Sequence, residues 1–210
     1  MPWHPAGAML RPMTIRTWRD WARWPRHKVL TYAWRWGAYL PPDRRVLERT
    51  ILPALAQDPR CRRVLFVGVK RYNAHYGRLF PERAFVTIDP DPAVAQFGGH
   101  PHVVDRVQNL HAHFSAKSFD LIVMSGVIGF GLDDAVEVDR ALSACHWALR
   151  SEGTLVVGLN ELKATHVDPD SVPARDGFVP HVFAPLGTSR HVVAVPFEER
   201  THTFLFWRKR

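Results

Sequence analysis

From Arg63 onward the chain is a series of short apolar runs, each closed by a glycine, an amide or an acid. VLFVGV (64–69), AFVTIDPD (84–91), HVVD (102–105), FDLIVMSGV (119–127) and GTLVVGLN (153–160) follow in order, with polar segments between them. Runs of this length, apolar on both faces, read as buried strands of a parallel sheet. Parallel neighbours need crossovers, and those crossovers are right-handed. Before the fifth run, Asp133–Leu149 carries a helical stripe of Ala135, Val138, Leu142, Cys145 and Leu149, which Ser151-Glu152-Gly153 ends. RHVVAVPF (190–197) and HTFLFW (202–207) flank the charged turn Glu198-Glu199-Arg200. They lie too close for a crossover, so they predict an antiparallel hairpin at the sheet edge. Residues 161–188, with Pro169, Pro173, Pro180 and Pro185, read as loop.

Residues 1–58 have a different character. Trp3, Trp18, Trp21, Trp24, Trp34 and Trp36 sit among many arginines. Ile15, Trp18, Trp21 and Ala22 have helical spacing up to Pro25, and Val29, Leu30, Ala33 and Trp34 start a second helix that Pro41-Pro42 stops. A third helix is expected from Asp43 to about Ala56, with Leu47, Ile51, Leu52 and Leu55 on one face and Asp43 as its N-cap. The expected division is a helical, Trp/Arg-rich extension (1–58) and an α/β domain (59–210).

The net charge of +8 fits either an acidic partner or an arginine-rich surface. Two cysteines, Cys61 and Cys145, make neither a disulfide framework nor a metal pair, so a cytoplasmic location is expected. No apolar run approaches the roughly 20 residues of a membrane span. The first residues lack the continuous apolar region of a secretory signal. His100/His102 and His111/His113 look like ligand pairs but have no matching Cys or carboxylate spacing, so no metal is expected.

The order of these pieces resembles a known family. A strand ends in Gly68, and a second ends in Asp89 about twenty residues on. A short strand ends in Asp105, FDLIVMSGVIGFGLDD follows, then a helix running into ALRSEGTLVVG, then the hairpin. Residues 60–208 as a whole are similar to a class I S-adenosylmethionine-dependent methyltransferase. That resemblance implies a Rossmann-like, seven-stranded, mostly parallel sheet whose last strand is antiparallel, and S-adenosylmethionine as cofactor.

It also implies a site beyond the carboxyl ends of the strands. Gly68, without a Cβ, would let the methionine part of the cofactor approach the backbone. The family's glycine-rich run is replaced here by Val69-Lys70-Arg71-Tyr72-Asn73. Tyr72 would cover the sulfonium by a cation–π contact, and Asn73 would bind the carboxylate or amine; the alternative is a turn with exposed polar side chains. Asp89 would accept the ribose hydroxyls, or else simply form the turn before Pro90. Asp105 would bind the adenine amino group, flanked by Val104 and Arg106, or else stand as a solvated loop acid. Ser125, Gly126 and Val127 would line the methyl-transfer face. MSGVIGFG lacks the Asp/Asn-Pro-Pro-aromatic signature of many nucleic-acid amino-methylating relatives.

On the acceptor side, His202 opens the last strand at the ligand rim, and Asn160 and Glu161 leave the fifth strand at the same edge. His202 and Asn160 are the candidates for substrate contact and proton removal. His166 and His181 lie on the loop-rich insertion, and His146 reads as structural. The expected reaction is O- or N-methylation of a small-molecule acceptor. Two rivals stay open: a cofactor-binding module or pseudoenzyme acting through its basic face, and an RNA- or DNA-directed methyltransferase. The tryptophan-rich end admits a helical lid, a membrane-surface helix or a nucleic-acid surface. Oligomeric state has no signature in the sequence.

Overall fold

The computed structural model describes residues 39–161, 167–195 and 200–210. The two helices expected within residues 15–36, and His166, lie outside the described residues.

Eight strands form one sheet: β1 (Arg63–Val67), β2 (Ala84–Asp89), β3 (His102–Val104), β4 (Phe119–Ser125), β5 (Leu149–Glu161), β6 (Phe178–Pro180), β7 (Arg190–Val195) and β8 (Arg200–Lys209). The order is β3-β2-β1-β4-β5-β8-β6, with β7 also paired to β8. β1 to β5 are mutually parallel where they pair, and β8 runs antiparallel to β5. This is the mostly parallel, Rossmann-like sheet with an antiparallel strand that the sequence predicts. The strand number differs by one. The far edge of β8 is shared by two short strands: β7 covers Arg200–Leu205, and β6 covers Trp207–Lys209. FVP is too short to show a period, which is why β6 reads as loop in the sequence.

Strand alternation builds two cores. On one face Leu65, Val86, Ile122, Leu155 and Trp207 meet Val138, Leu142 and Cys145 of helix α3 (Ala135–Ala148). On the other, Phe66, Val123, Val156, Phe204 and Phe206 meet Leu47, Ile51, Leu52 and Leu55. Each fully buried Leu or Phe here contributes about 1.5–3 kcal/mol. Helix residues 42–57, which the sequence reading puts in the extension, therefore share the core of the sheet.

That stretch is not the single α-helix the spacing predicts. α1 (Pro42–Val46) passes through a π-helical turn (Leu47–Ile51) into α2 (Leu52–Gln57). Pro53 explains the widening, since its ring clashes with the carbonyl four residues back and it has no N–H to give. Asp43 is not the N-cap. Pro41 holds that position, and Asp43 lies inside the first turn, 2% exposed. α3 starts where Asp134 caps it by accepting from the Glu137 N–H at 2.8 Å, and its first stripe residue, Ala135, is exposed. The connections from β1 to β4 carry only 3₁₀ turns, including Arg71–Asn73, Tyr76–Leu79, Pro92–Phe97 and Val107–Ala112. Among the described residues no helix is long and apolar enough to cross a membrane, and no group of three metal-binding side chains occurs.

Candidate active site

The carboxyl ends of β1, β2, β4 and β5 lie side by side, and the N-terminal end of antiparallel β8 joins them there. Gly68 follows β1 with φ +88°, a conformation that favours glycine, and a Cβ on it would stand 3.0 Å from Val127 Cγ2. A side chain there would press on Val127, in the turn after β4. The loop after it is held by side chains rather than by glycines. Asn73 Oδ1 accepts from the Lys70 N–H at 2.9 Å, and its Nδ2 donates to the Gly68 carbonyl at 3.1 Å. Both ends of the Asn73 amide thus close the loop on itself.

Asp89 is 6% exposed. One of its oxygens accepts from the Val69 N–H at 2.8 Å and the other from the Asp91 N–H at 2.9 Å. A carboxylate has about four lone-pair positions, so acceptor capacity is left over. The acid ties β2 to the β1 loop and stands at the right place to take further donors. Asp91 caps the following turn through the Ala93 N–H, as its position before Pro92 predicts.

Tyr72 is half-exposed and faces Arg44: the guanidinium lies 4.9 Å above the ring and its Nη2 donates to the phenol oxygen at 3.3 Å. One face of the ring expected over a sulfonium is thus stacked by a protein cation. Asp105 takes hydrogen bonds from the Arg106 N–H, from Asn109 Nδ2 at 2.8 Å, and pairs with His113 Nε2 at 2.7 Å. These bonds, that of His113 first, hold its carboxyl below the usual range. Arg106 pairs with Glu137, and Val104 is exposed beside them.

The most enclosed polar group lies where β4, β5 and β8 end. Ser125 pairs in register with Gly158, and Asn160 with His202. The Gly126 N–H donates to the Gly158 carbonyl at 2.8 Å. His202 is 1% exposed, with Nδ1 2.7 Å from Asn160 Oδ1. Burial pushes this imidazole down to about 3; Asp43 opposes the shift, and Arg44 and Arg200 add to it. The ring is therefore neutral at neutral pH. Its Nδ1 carries the proton donated to Asn160, and Nε2 presents a bare lone pair. Asp43 Oδ2 stands 3.7 Å from Nδ1, which with a neutral ring is neither a hydrogen bond nor an ion pair; its charge faces Arg200 at 3.5 Å instead. Arg200 also donates to Asn160 Oδ1. Glu161 accepts from Thr201 and Thr203 and pairs with Arg190.

The fold thus brings Gly68, Asp89, Ser125, Gly126 and Val127 to one strand-end region, with Asn160 and His202 beside it. It adds Asp43, Arg44 and Gly158, which sequence reasoning missed. Asp43-Arg44 reads as an ordinary helix start after Pro41-Pro42, and nothing local marks the pair as buried. Arg44 is 8% exposed, and its Nη2 lies 3.3 Å from the position of a Cβ on Gly126. Burial pulls its pKa down, but Tyr72, Tyr76 and Asp43 outweigh that and the net shift is upward. His146, as expected, is structural: its ring packs edge-on to Phe178 and its carbonyl accepts from Lys209. His181 bonds to Arg208.

No protein-family model and no curated protein matches the sequence. Solved structures do match. The N-methyltransferase NodS of Bradyrhizobium japonicum WM9, in complex with S-adenosyl-L-homocysteine, is 16% identical with a TM-score of 0.60, covering 88% of this chain and 98% of its own. A TehB-like SAM-dependent methyltransferase of Corynebacterium glutamicum is 22% identical with a TM-score of 0.55, covering 89% and 100%. The 1,6-didemethyltoxoflavin-N1-methyltransferase of Burkholderia thailandensis is 14% identical with a TM-score of 0.53, covering 91% and 89%. The fold is that of the S-adenosylmethionine-dependent methyltransferases.

Proposed function

We propose that this chain is an S-adenosylmethionine-dependent methyltransferase acting on an oxygen or nitrogen of a small molecule. The observation that carries the reading is the side-by-side placement of Gly68, Asp89 and Ser125-Gly126 at the carboxyl ends of β1, β2 and β4. Open α/β sheets bind their ligands there. The residues fit the cofactor: a glycine at positive φ packed close to Val127 after β1, and a buried carboxylate with unused acceptor capacity.

The cofactor, when bound, supplies an activated methyl group; the chain positions it and the acceptor. Gly68 lets the backbone come close. Asp89 accepts the ribose hydroxyls, and Asp105 faces the adenine amino group. Ser125, Gly126 and Val127 support the homocysteine part. Tyr72 flanks the sulfonium with Arg44 behind it, Asn73 shapes the loop, and Arg44 offers a cation for the amino-acid carboxylate. Asn160 and His202 form the acceptor side.

A second reading is a cofactor-binding module without turnover. It is favoured by one observation: Asn73 and Asp89 already engage the loop's own backbone. Titration calorimetry with S-adenosylmethionine and S-adenosylhomocysteine, against NAD, tests the first step. Micromolar binding of the first two and none of NAD is expected; binding of neither overturns both readings.

A further inference from the structure

Away from the strand-end site, an open groove of about 570 Å³ runs along one side of α3, between the helix and the 3₁₀ turn Val107–Ala112. A volume of that size suits a small organic ligand. One wall is a helical stripe: Glu137, Arg140, Ala144 and Trp147 follow at steps of three or four residues and so share a face. At about 1.5 Å per residue, the stripe is about 15 Å long. Arg106, Gln108 and His111 stand on the opposite wall. The groove starts at Arg106 and Glu137, just past the carboxyl end of β3, and ends at Trp147, shortly before β5 begins at Leu149. It therefore leads away from the strand-end site towards the other end of the sheet.

The lining is unbalanced in charge. Its one carboxylate, Glu137, is already engaged by Arg106 at 3.3 Å. Arg140 is exposed and has no hydrogen bond or ion pair among the described residues. The side chains of His111 and Gln108 are equally unengaged there. His111 and His113, a ligand pair in the sequence, part company: His113 turns to Asp105, and His111 lines the groove. A guanidinium has five N–H donors and no acceptor, so the free groups ask for an anion rich in acceptors. Trp147 adds the second half. It packs with Ala144 against the core yet is only half-buried, and the rest of it lines the groove. An indole held in this way is a fixed platform for a flat ring. Arg140 and Trp147 lie two helical turns apart, about 10 Å along the axis, which the phosphate and base of one nucleotide span with the arginine's reach. We propose that this groove binds an aromatic anion of nucleotide size, its ring on Trp147 and its phosphate at Arg140 and His111. A free mononucleotide and one nucleotide of a single-stranded nucleic acid share this chemistry. The proposal goes beyond the methyltransferase reading and does not depend on it.

The test is calorimetry on the full chain with guanosine monophosphate, guanosine and inorganic phosphate, each with and without S-adenosylhomocysteine. Guanosine monophosphate is expected to bind at least about tenfold tighter than either fragment, since each fragment lacks one of the two contacts. S-adenosylhomocysteine is expected not to compete with it. Arg140→Ala should bring guanosine monophosphate down to the level of guanosine, and Trp147→Leu to the level of phosphate. If the tryptophan variant does not fold, the Trp147 indole N–H resonance, assigned through Trp147→Phe, is expected to move with guanosine monophosphate and not with phosphate. A short single-stranded RNA tells the two sources apart. Bound tighter than guanosine monophosphate and weakened by Arg140→Ala, it assigns the groove to nucleic acid; bound no tighter, it assigns the groove to free nucleotides. Guanosine monophosphate binding no tighter than its fragments, no effect of Arg140→Ala, or competition with S-adenosylhomocysteine overturns the proposal. Failure of S-adenosylhomocysteine alone to bind counts against the methyltransferase reading and leaves the groove standing.

Discussion

Asp89 shows how one side chain can serve fold and ligand together. Its oxygens each hold a backbone N–H, of Val69 and of Asp91, and both keep further acceptor capacity. Asp89→Ala is expected to weaken S-adenosylmethionine binding by about 1–3 kcal/mol, the cost of losing charged hydrogen bonds. Calorimetry on the variant checks this, with its melting curve as the control for the β1 loop; unchanged affinity would remove the ribose role. His202 makes a different prediction. Its folded pKa of about 3 lies below the ordinary 6.5, so below pH 6.5 the unfolded chain binds a proton that the folded one does not. Stability from this group is therefore whole above 6.5 and falls as the pH drops from there towards 3, by up to about 1.4 kcal/mol per pH unit. Urea midpoints at pH 7 and pH 4.5 should diverge less in His202→Gln than in the wild type. An equal divergence would mean that the imidazole is not held neutral.

Among the elements, α3 and the α1–α2 pair contrast. α3 forms for local reasons: Asp134 caps it, and Val138, Leu142 and Cys145 fall on one stripe. Asp134→Ala should cost about 0.5–2 kcal/mol, read as a shift of the urea midpoint with little change in slope. Its stripe was readable because helix periodicity and capping are short-range. α1 and α2 were readable only in outline. The apolar face of Leu47, Ile51, Leu52 and Leu55 is where the spacing puts it. The π-helical turn answers to Pro53, the placement of Asp43 to Arg200 of β8, more than a hundred and fifty residues away in sequence, and that of Arg44 to Tyr72 and Gly126. β6 shows the same limit, since three residues become a strand only because Trp207–Lys209 leaves an edge to cover.

For the whole molecule, charge is unevenly spread. Seven of the 28 basic residues and one of the 20 acids lie in residues 1–38. Deleting those residues should leave the cofactor affinity of the sheet domain intact while lowering turnover or solubility, as a lid of tryptophans requires. Retention on a heparin column should also weaken, because most of the net charge is removed. A truncated chain that is fully soluble and fully active would exclude the lid. A specific, salt-sensitive affinity for RNA that disappears with the segment would favour the nucleic-acid rival.

The strands β1, β2, β4 and β5, the hairpin, and the glycine and acids that close them were legible in the residues, because buried parallel strands are continuous apolar runs and ligands collect at their ends. Gly68, Asp89 and Ser125 could be named for that reason. Packing alone decided the rest. Asn73 turned inward on its own loop, Arg44 came to lie on Tyr72, and Asp43 came to face Arg200. Ser125 and His202 close in on the intervening strand only because Gly158 there has no side chain. Those relations join residues far apart in sequence, and a buried polar group's partner is set by which strands lie adjacent, which no local pattern encodes.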